Sequence, residues 1–347
     1  MKISIEIGGY AVRVATQSQG KIEMLDIGDS SSPYTIPSRV IIMHDGNILV
    51  GNQVGIDSWT LGKEIFLDDI DYNDIDFEKA YEALIKYINK KVEKQYHTSI
   101  VDIVMIVPPS YATNDPRKSK ITNVFLSCGI RNISFLTSDI TYCHNSVSIS
   151  YDETALVYNI GYNNTHVSLV KRVGKDLVSI ACTEIKGLGG QIFDSLIYQD
   201  IESKIDIEYN EKFQLSQVQL IGKLCRIIKE ELSQSETFSI SIPYSSQQYT
   251  IQRETLESMI KDDIESSIKE AFNCIKKSST PLTDIRKIIL TGGSAMIPYI
   301  QKIMSLTFNI GNGEKKDIIV PSCSTSAMYD SCKGGLSVQN TGGILNI

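Results

Sequence analysis

Residues Ile3 to Thr16 read ISIEIGGYAVRVAT, with apolar and polar side chains alternating on both sides of Gly8-Gly9. That period belongs to two strands joined by a tight glycine turn. A second stretch of the same layout, ALVYNIGYNNTHVSLV, lies far downstream at Ala155 to Val170. Laid over each other, Glu6-x-Gly8 matches Asn159-x-Gly161, and Val12 and Val14 match Thr165 and Val167. Two related hairpins in the two halves of one chain indicate a duplicated fold.

Working outward, FEKAYEALIKYINKKVEK sets Phe77, Tyr81, Leu84, Ile85, Ile88 and Val92 on one helical stripe, and the apolar strand IVDIVMIVPPSY follows it. PRKSKITNVFLSCG reads as a helix closed by Gly129, and IRNISFLTSDI as the next strand. Strand and helix alternate, which predicts α/β construction around a central sheet. From about Asp200 to Thr280 the pattern changes to a helix (LSQVQLIGKLCRIIKEELSQ), a hairpin (FSISIPYSSQQYTI) and a long amphipathic helix carrying Leu256, Ile260, Ile264, Ile268, Ala271 and Ile275 on one face. This predicts a subdomain inserted at about 191–284. The chain returns through IRKIILTGGSAMIP, where Gly292-Gly293-Ser294 follow a buried apolar run and precede a helix over Tyr299 to Met304. The tail LSVQNTGGILNI carries no clear period and reads as poorly ordered.

Composition narrows the function. With 347 residues and 42% hydrophobic content, the chain can bury the cores of two domains. The 34 basic and 41 acidic residues leave a charge of -7, and no stretch gathers a broad basic face, which argues against nucleic acid. No run approaches the roughly 20 apolar residues of a membrane span, and Met1 leads directly into a strand, so neither a membrane nor a secretory leader is expected and the reading is cytoplasmic. The 7 cysteines are scattered and the 4 histidines lie at no metal-ligand spacing, which predicts reduced thiols and no zinc site.

Glycine-rich strand ends let main-chain N–H groups approach phosphates. Three occur here, at Gly8-Gly9, Gly161 and Gly292-Gly293-Ser294, and in that order they resemble the nucleotide-binding domain of the seventy-kilodalton heat-shock chaperones. The resemblance covers almost the whole chain. It includes TIPSRVIIMHDGNILVG (Thr35 to Gly51), IVMIVPPSY, LTSDITY (Leu136 to Tyr142), KGLGGQIFDSLI (Lys186 to Ile197), KEELSQS (Lys229 to Ser235) and IILTGGSAMIPYIQKIM (Ile288 to Met304). The last is the most specific. The resemblance implies an actin-like ATPase fold, two lobes each built on a duplicated ribonuclease H-like β-sheet with flanking helices. Lobe one would span about 1–150, with segment 323–347 packing back on it, and lobe two about 151–322. ATP or ADP would lie between them, bound by Gly8, Gly9, Tyr10, Gly161, Tyr162, Asn163, Gly189, Gly190, Lys229, Ser233, Gly292, Gly293 and Ser294.

Departures from the family pattern fall where its chemistry is done. An aspartate that orders magnesium-bound water is matched by Glu6, and the glycine and threonines after it by Gly8, Gly9 and Tyr10. The second aspartate is matched by Asn159, whose amide carries no charge to draw a hydrated cation, and a later one by His166. Asp139 stands where the family has a glutamate. Lys63 lies only near the position of the family's catalytic lysine. On the nucleoside side Lys229 and Ser233 keep their family places, while Arg226 and Glu230 reverse the usual order of an acid and a base one helical turn apart. With Glu6, Asp139 and Asn159 a degenerate catalytic set, the expectation is a nucleotide-binding domain with weak or absent hydrolysis and little hold on magnesium. Its partner would be a J-domain co-chaperone or another chaperone, in the manner of atypical ribosome-associated members. Too little sequence follows Gly334 to build a peptide-binding domain, so direct client binding is not expected. A slow but competent ATPase, a filament-forming actin-like protein and a small-molecule kinase are the alternatives.

Overall fold

The computed structural model describes residues 1–55, 61–111, 114–209, 214–309 and 316–340. The chain divides into two compact units, one of Met1–Ala155, Ser168–Cys182 and Met328–Ile347, the other of Leu156–Val167 and Thr183–Ala327.

In the first unit the opening sequence forms β1 (Lys2–Ile7) and β2 (Ala11–Ser18), antiparallel with Ile5 opposite Val14 and Glu6 opposite Arg13. β3 (Lys21–Met24) and β4 (Thr35–Pro37) both pair with β2. A small separate sheet of β5 (Arg39–Met43), β6 (Ile48–Val50) and β7 (Gly62–Phe66) precedes α1 (Phe77–Tyr96). β8 (Asp102–Val107) then returns parallel to β1, α2 (Pro116–Ser127) follows, and β9 (Asn132–Thr137) lies parallel to β8. The main sheet is ordered β3-β2-β1-β8-β9.

Period-two alternation gives this sheet two different faces. Ile3, Ile5, Ile103, Met105 and Val107 join the α1 residues Phe77, Leu84, Ile85, Ile88 and Val92 and the α2 residues Ile121 and Phe125 in one core. Each such side chain, fully buried, contributes about 1.5–3 kcal/mol relative to exposure. The intervening residues Val104 and Ile106 face Cys332 and Leu336 instead.

Two expectations are corrected here. The strand expected to run to Ile140 ends at Thr137, which is extended (ψ 146°) and leads straight into α3 (Ser138–Ser146). The tail, expected to lack order, is helical as far as Asn340: it forms α8 (Ser324–Asn340), whose Cys332 and Leu336 are buried. Close packing makes this possible, because a Cβ on Gly334 would lie 1.9 Å from the Thr141 carbonyl and one on Gly335 2.5 Å from Ser4 Oγ. The residues after Asn340 lie outside the described residues.

Further along the chain come β10 (Thr154–Ile160), β11 (Thr165–Val173), β12 (Asp176–Ile185), α4 (Gly190–Lys204), α5 (Gln214–Leu232), the hairpin β13 (Thr237–Ser241) and β14 (Gln248–Gln252), and α6 (Arg253–Lys277). β15 (Ile285–Thr291), α7 (Pro298–Asn309) and β16 (Asp317–Ile319) complete the set, and the second sheet is ordered β12-β11-β10-β15-β16. All six residues expected on the inner face of α6 are buried. Among the described residues no helix is long and apolar enough to cross a membrane.

Candidate functional site

The two glycine hairpins are closed by the same hydrogen bond. Gly8 N–H donates to Ala11 C=O at 3.1 Å, and Gly161 N–H donates to Asn164 C=O at 3.0 Å. In each the main chain makes the turn by itself, with side chains left over for other work. Ser38 adds a second anchor to the first tip by donating to the Gly8 carbonyl at 2.5 Å.

Around the first tip, Glu6 is half-buried, and burial pushes its carboxyl above the usual carboxylate range, opposed by the Arg13 guanidinium and a hydrogen bond from Ser331. Ser331, on α8, also meets Thr141 Oγ1 at 3.0 Å on α3. Asp139 is 2% exposed. Its Oδ1 accepts from the Ile140 N–H at 2.8 Å, while its Oδ2 is buried without a hydrogen-bond partner. Tyr10, beside the same tip, is 43% exposed. Lys63, which only neighbours the catalytic lysine's place in sequence, is held in exposed ion pairs with Asp74 and Asp76.

The second hairpin is built against a helix start and a strand end. Gly190 N–H donates to the Gly161 carbonyl and Gln191 N–H to that of Tyr162, both at 2.9 Å, so the first donors of α4 serve this packing. A Cβ on Gly189 would stand 2.3 Å from the Tyr162 carbonyl oxygen. Gly292 has φ of +83°, and a Cβ there would meet the Ile160 carbonyl oxygen at 2.3 Å and Asn159 Oδ1 at 2.5 Å. Gly293, by contrast, opens on free space, with nothing within 4 Å of an added Cβ. Ser294 Oγ reaches the Gly161 carbonyl at 3.3 Å. Asn159, Gly161, Tyr162, Gly189, Gly190, Gly292 and Ser294 thus form one continuous cluster. Neighbouring Asn163 and Asn164 extend the loop, and Asn164 bonds Glu184, which also meets His166 at 3.2 Å.

Lys229 belongs to the same cluster. Its ammonium donates to the Gly190 carbonyl at 2.8 Å and pairs with Asp194 at 2.6 Å. Burial pulls the lysine down and pushes the aspartate up, each countered by its partner. The ammonium is thereby tied to both α4 and its acid within the protein. Ser233 sits one turn later, just past the end of α5, its hydroxyl bonded back to the Lys229 carbonyl at 3.2 Å. Arg226 and Glu230 make the expected intrahelical pair at 2.6 Å despite their reversed order.

Arg13, Asp194 and Ser331 escaped the sequence reading. Arg13 was visible as the polar residue between core-facing Val12 and Val14, directly across the hairpin from Glu6. Asp194 lies four residues after Gly190 on the same helix, but its pairing with α5 leaves no mark in local spacing.

Of the two family aspartates matched at the hairpins, one is the amide Asn159 and the other is Glu6, whose carboxyl burial raises above its usual range.

A family model described as Hsp70 protein matches residues 73–318. The chain is 24% identical over 337 residues to a Chaperone protein HscA homolog of Rickettsia prowazekii, covering 89% of this chain and 53% of that protein. It is 22% identical over 238 residues to Chaperone protein DnaK of Ureaplasma urealyticum (65% and 40% covered) and 25% identical over 228 residues to Chaperone protein HscA of Buchnera aphidicola (64% and 43% covered). The chain spans about half the length of the curated relatives it matches.

Proposed function

The chain belongs to the Hsp70 protein family, with the α/β actin-like ATPase fold of its nucleotide-binding domain, and from that premise we propose that it binds ATP or ADP with weak or absent hydrolysis. One observation carries the reading: both hairpins keep their main-chain closure, while the aspartates of the family pattern beside them are replaced by Glu6 and Asn159. Binding uses the main-chain donors and the nucleoside side at Lys229, Ser233, Gly189, Gly190 and Gly293, with Gly9, Tyr10, Asn163 and Ser294 at the loop tips. Phosphoryl transfer to water depends instead on positioning and charge stabilisation around the phosphates. Removing one hydrogen-bond donor that serves the transition state slows a reaction by about 10²–10³. Chaperone action would then run through a J-domain protein or another chaperone in the cytoplasm, ribosome-bound members being one model.

Calorimetric titration with ATP and ADP, alongside phosphate release with and without a J-domain protein, tests this. Measurable binding with background phosphate release is expected. Absence of any nucleotide binding, or robust turnover, overturns it. The buried, unpartnered Oδ2 of Asp139 favours a second reading, a slow ATPase in which that oxygen orients the attacking water. Under it, phosphate release is measurable in the unmodified chain and abolished by Asp139→Asn.

A further inference from the structure

Arg13 makes no close ion pair among the described residues, although the Glu6 carboxyl is near enough to feel its charge. It sits on β2 directly opposite Glu6, and its Nη1 would be 3.4 Å from a Cβ on Gly8. Its Nε is buried without a hydrogen-bond partner, and the guanidinium takes part in no ion pair among the described residues. The neighbouring carboxyl is raised above its usual range by burial, an effect the guanidinium opposes, and Ser331 already donates to it. A guanidinium holds its charge at every accessible pH and presents a planar fork of donors matched to phosphate oxygens. Beside it, the glycine tip lets an anion approach the main chain without a side chain in the way.

We propose that Arg13 is an anion-binding residue of the first hairpin, supplying in place of a divalent cation the fixed positive charge that receives a polyphosphate group. The assignment deepens the nucleotide-binding reading and rests on it, but it concerns a different dependence: binding that needs the guanidinium and does not need magnesium. Lysine would keep the charge and lose the fork, glutamine would lose the charge, and removal of the Glu6 carboxyl would leave Arg13 free for the ligand alone.

Titration calorimetry of the full chain with inorganic tripolyphosphate, ADP and adenosine, each in EDTA and in excess magnesium, tests it. For the unmodified chain, tripolyphosphate and ADP should bind in EDTA with affinities within about threefold of those in magnesium. Arg13→Gln should weaken both by about tenfold or more and leave adenosine unchanged, Arg13→Lys should fall between, and Glu6→Gln should tighten tripolyphosphate. A thermal melt of each variant shows that it is folded, and unchanged adenosine binding by Arg13→Gln repeats that control at the site. If ADP binds only with magnesium, or Arg13→Gln binds tripolyphosphate like the unmodified chain, the role of Arg13 is overturned while nucleotide binding stands. If neither ADP nor adenosine binds but tripolyphosphate does, the nucleotide reading falls and the anion site survives. Failure of all three ligands overturns both.

Discussion

The ammonium of Lys229 lies 2.6 Å from Asp194 Oδ1, with both side chains at most a tenth exposed. Each charge is tolerated in the interior because the other is beside it. Removing one partner leaves an uncompensated buried charge, which typically costs about 3–5 kcal/mol, whereas replacing both by apolar groups is often neutral or stabilising. Lys229→Ala should therefore lower the unfolding free energy by about 3–5 kcal/mol in urea titrations, and Lys229→Met with Asp194→Leu should recover most of it. A single variant destabilised by less than about 1 kcal/mol would show that the pair is not needed by its surroundings.

Gly292 and Gly293 are adjacent and should behave in opposite ways. Alanine at Gly292 meets two oxygens at 2.5 Å or less from a left-handed backbone, whereas at Gly293 it enters open space. Overpacking costs about 1–3 kcal/mol and the left-handed conformation about 1–2 more. Gly292→Ala should thus be destabilised by about 2–5 kcal/mol. Gly293→Ala should stay within about 0.5 kcal/mol of the unmodified chain and weaken nucleotide binding alone. Equal melting temperatures for the two would contradict the geometry.

The carboxyl of Glu6 makes stability depend on pH with a definite sign. Its folded pKa is raised above the ordinary 4.5, chiefly by burial. Stability from the protonated group is fully present below that ordinary value and lost as pH rises through the folded one. Glu6→Gln, neutral at every pH, should melt higher than the unmodified chain at pH 7 and alike at pH 4. A lower melting temperature at pH 7 would mean that the attraction of Arg13 outweighs burial.

Docking of α8 depends on a missing side chain. A Cβ on Gly334 would stand 1.9 Å from the Thr141 carbonyl oxygen. Gly334→Ala must push α8 away from α3, disrupting the packing of Ser331 and Cys332, and should cost about 1–3 kcal/mol. Limited proteolysis should then cut near α8 in the variant at protease concentrations that spare the parent. Unchanged resistance would count against the packing.

Periodicity made most of this legible in the sequence. The alternation around Gly8-Gly9 and the stripe from Phe77 to Val92 are single patterns that a reader can count, and both elements are where the counting puts them. Elements failed where local cues conflict with tertiary packing. Gly334 and Gly335 lower the helix propensity of α8 by about 1 kcal/mol each, and only the sheet face beneath explains why a helix is there. At Ser138 the change from strand to helix leaves no mark in residue type, since β-branched Thr137 ends the strand and β-branched Ile140 and Thr141 lie inside the helix. For the site, family likeness directed attention to the positions it names, Glu6, Asn159 and Lys229, and away from Arg13, which it does not name. The Lys229–Asp194 pair joins α5 to α4 across a distance in sequence that no spacing rule spans.

The matching closures at Gly8 and Gly161 bear on how such a chain could change over evolutionary time. A turn held by its own peptide groups places no demand on neighbouring side chains to keep its shape, so mutations at Glu6, Gly9, Tyr10 or Asn159 can accumulate without unfolding penalties that selection would notice. Architecture and chemistry then drift independently, and the same separation makes the drift reversible at the bench: ancestral acids and hydroxyls could be reinstalled one at a time on loops already bent to receive them.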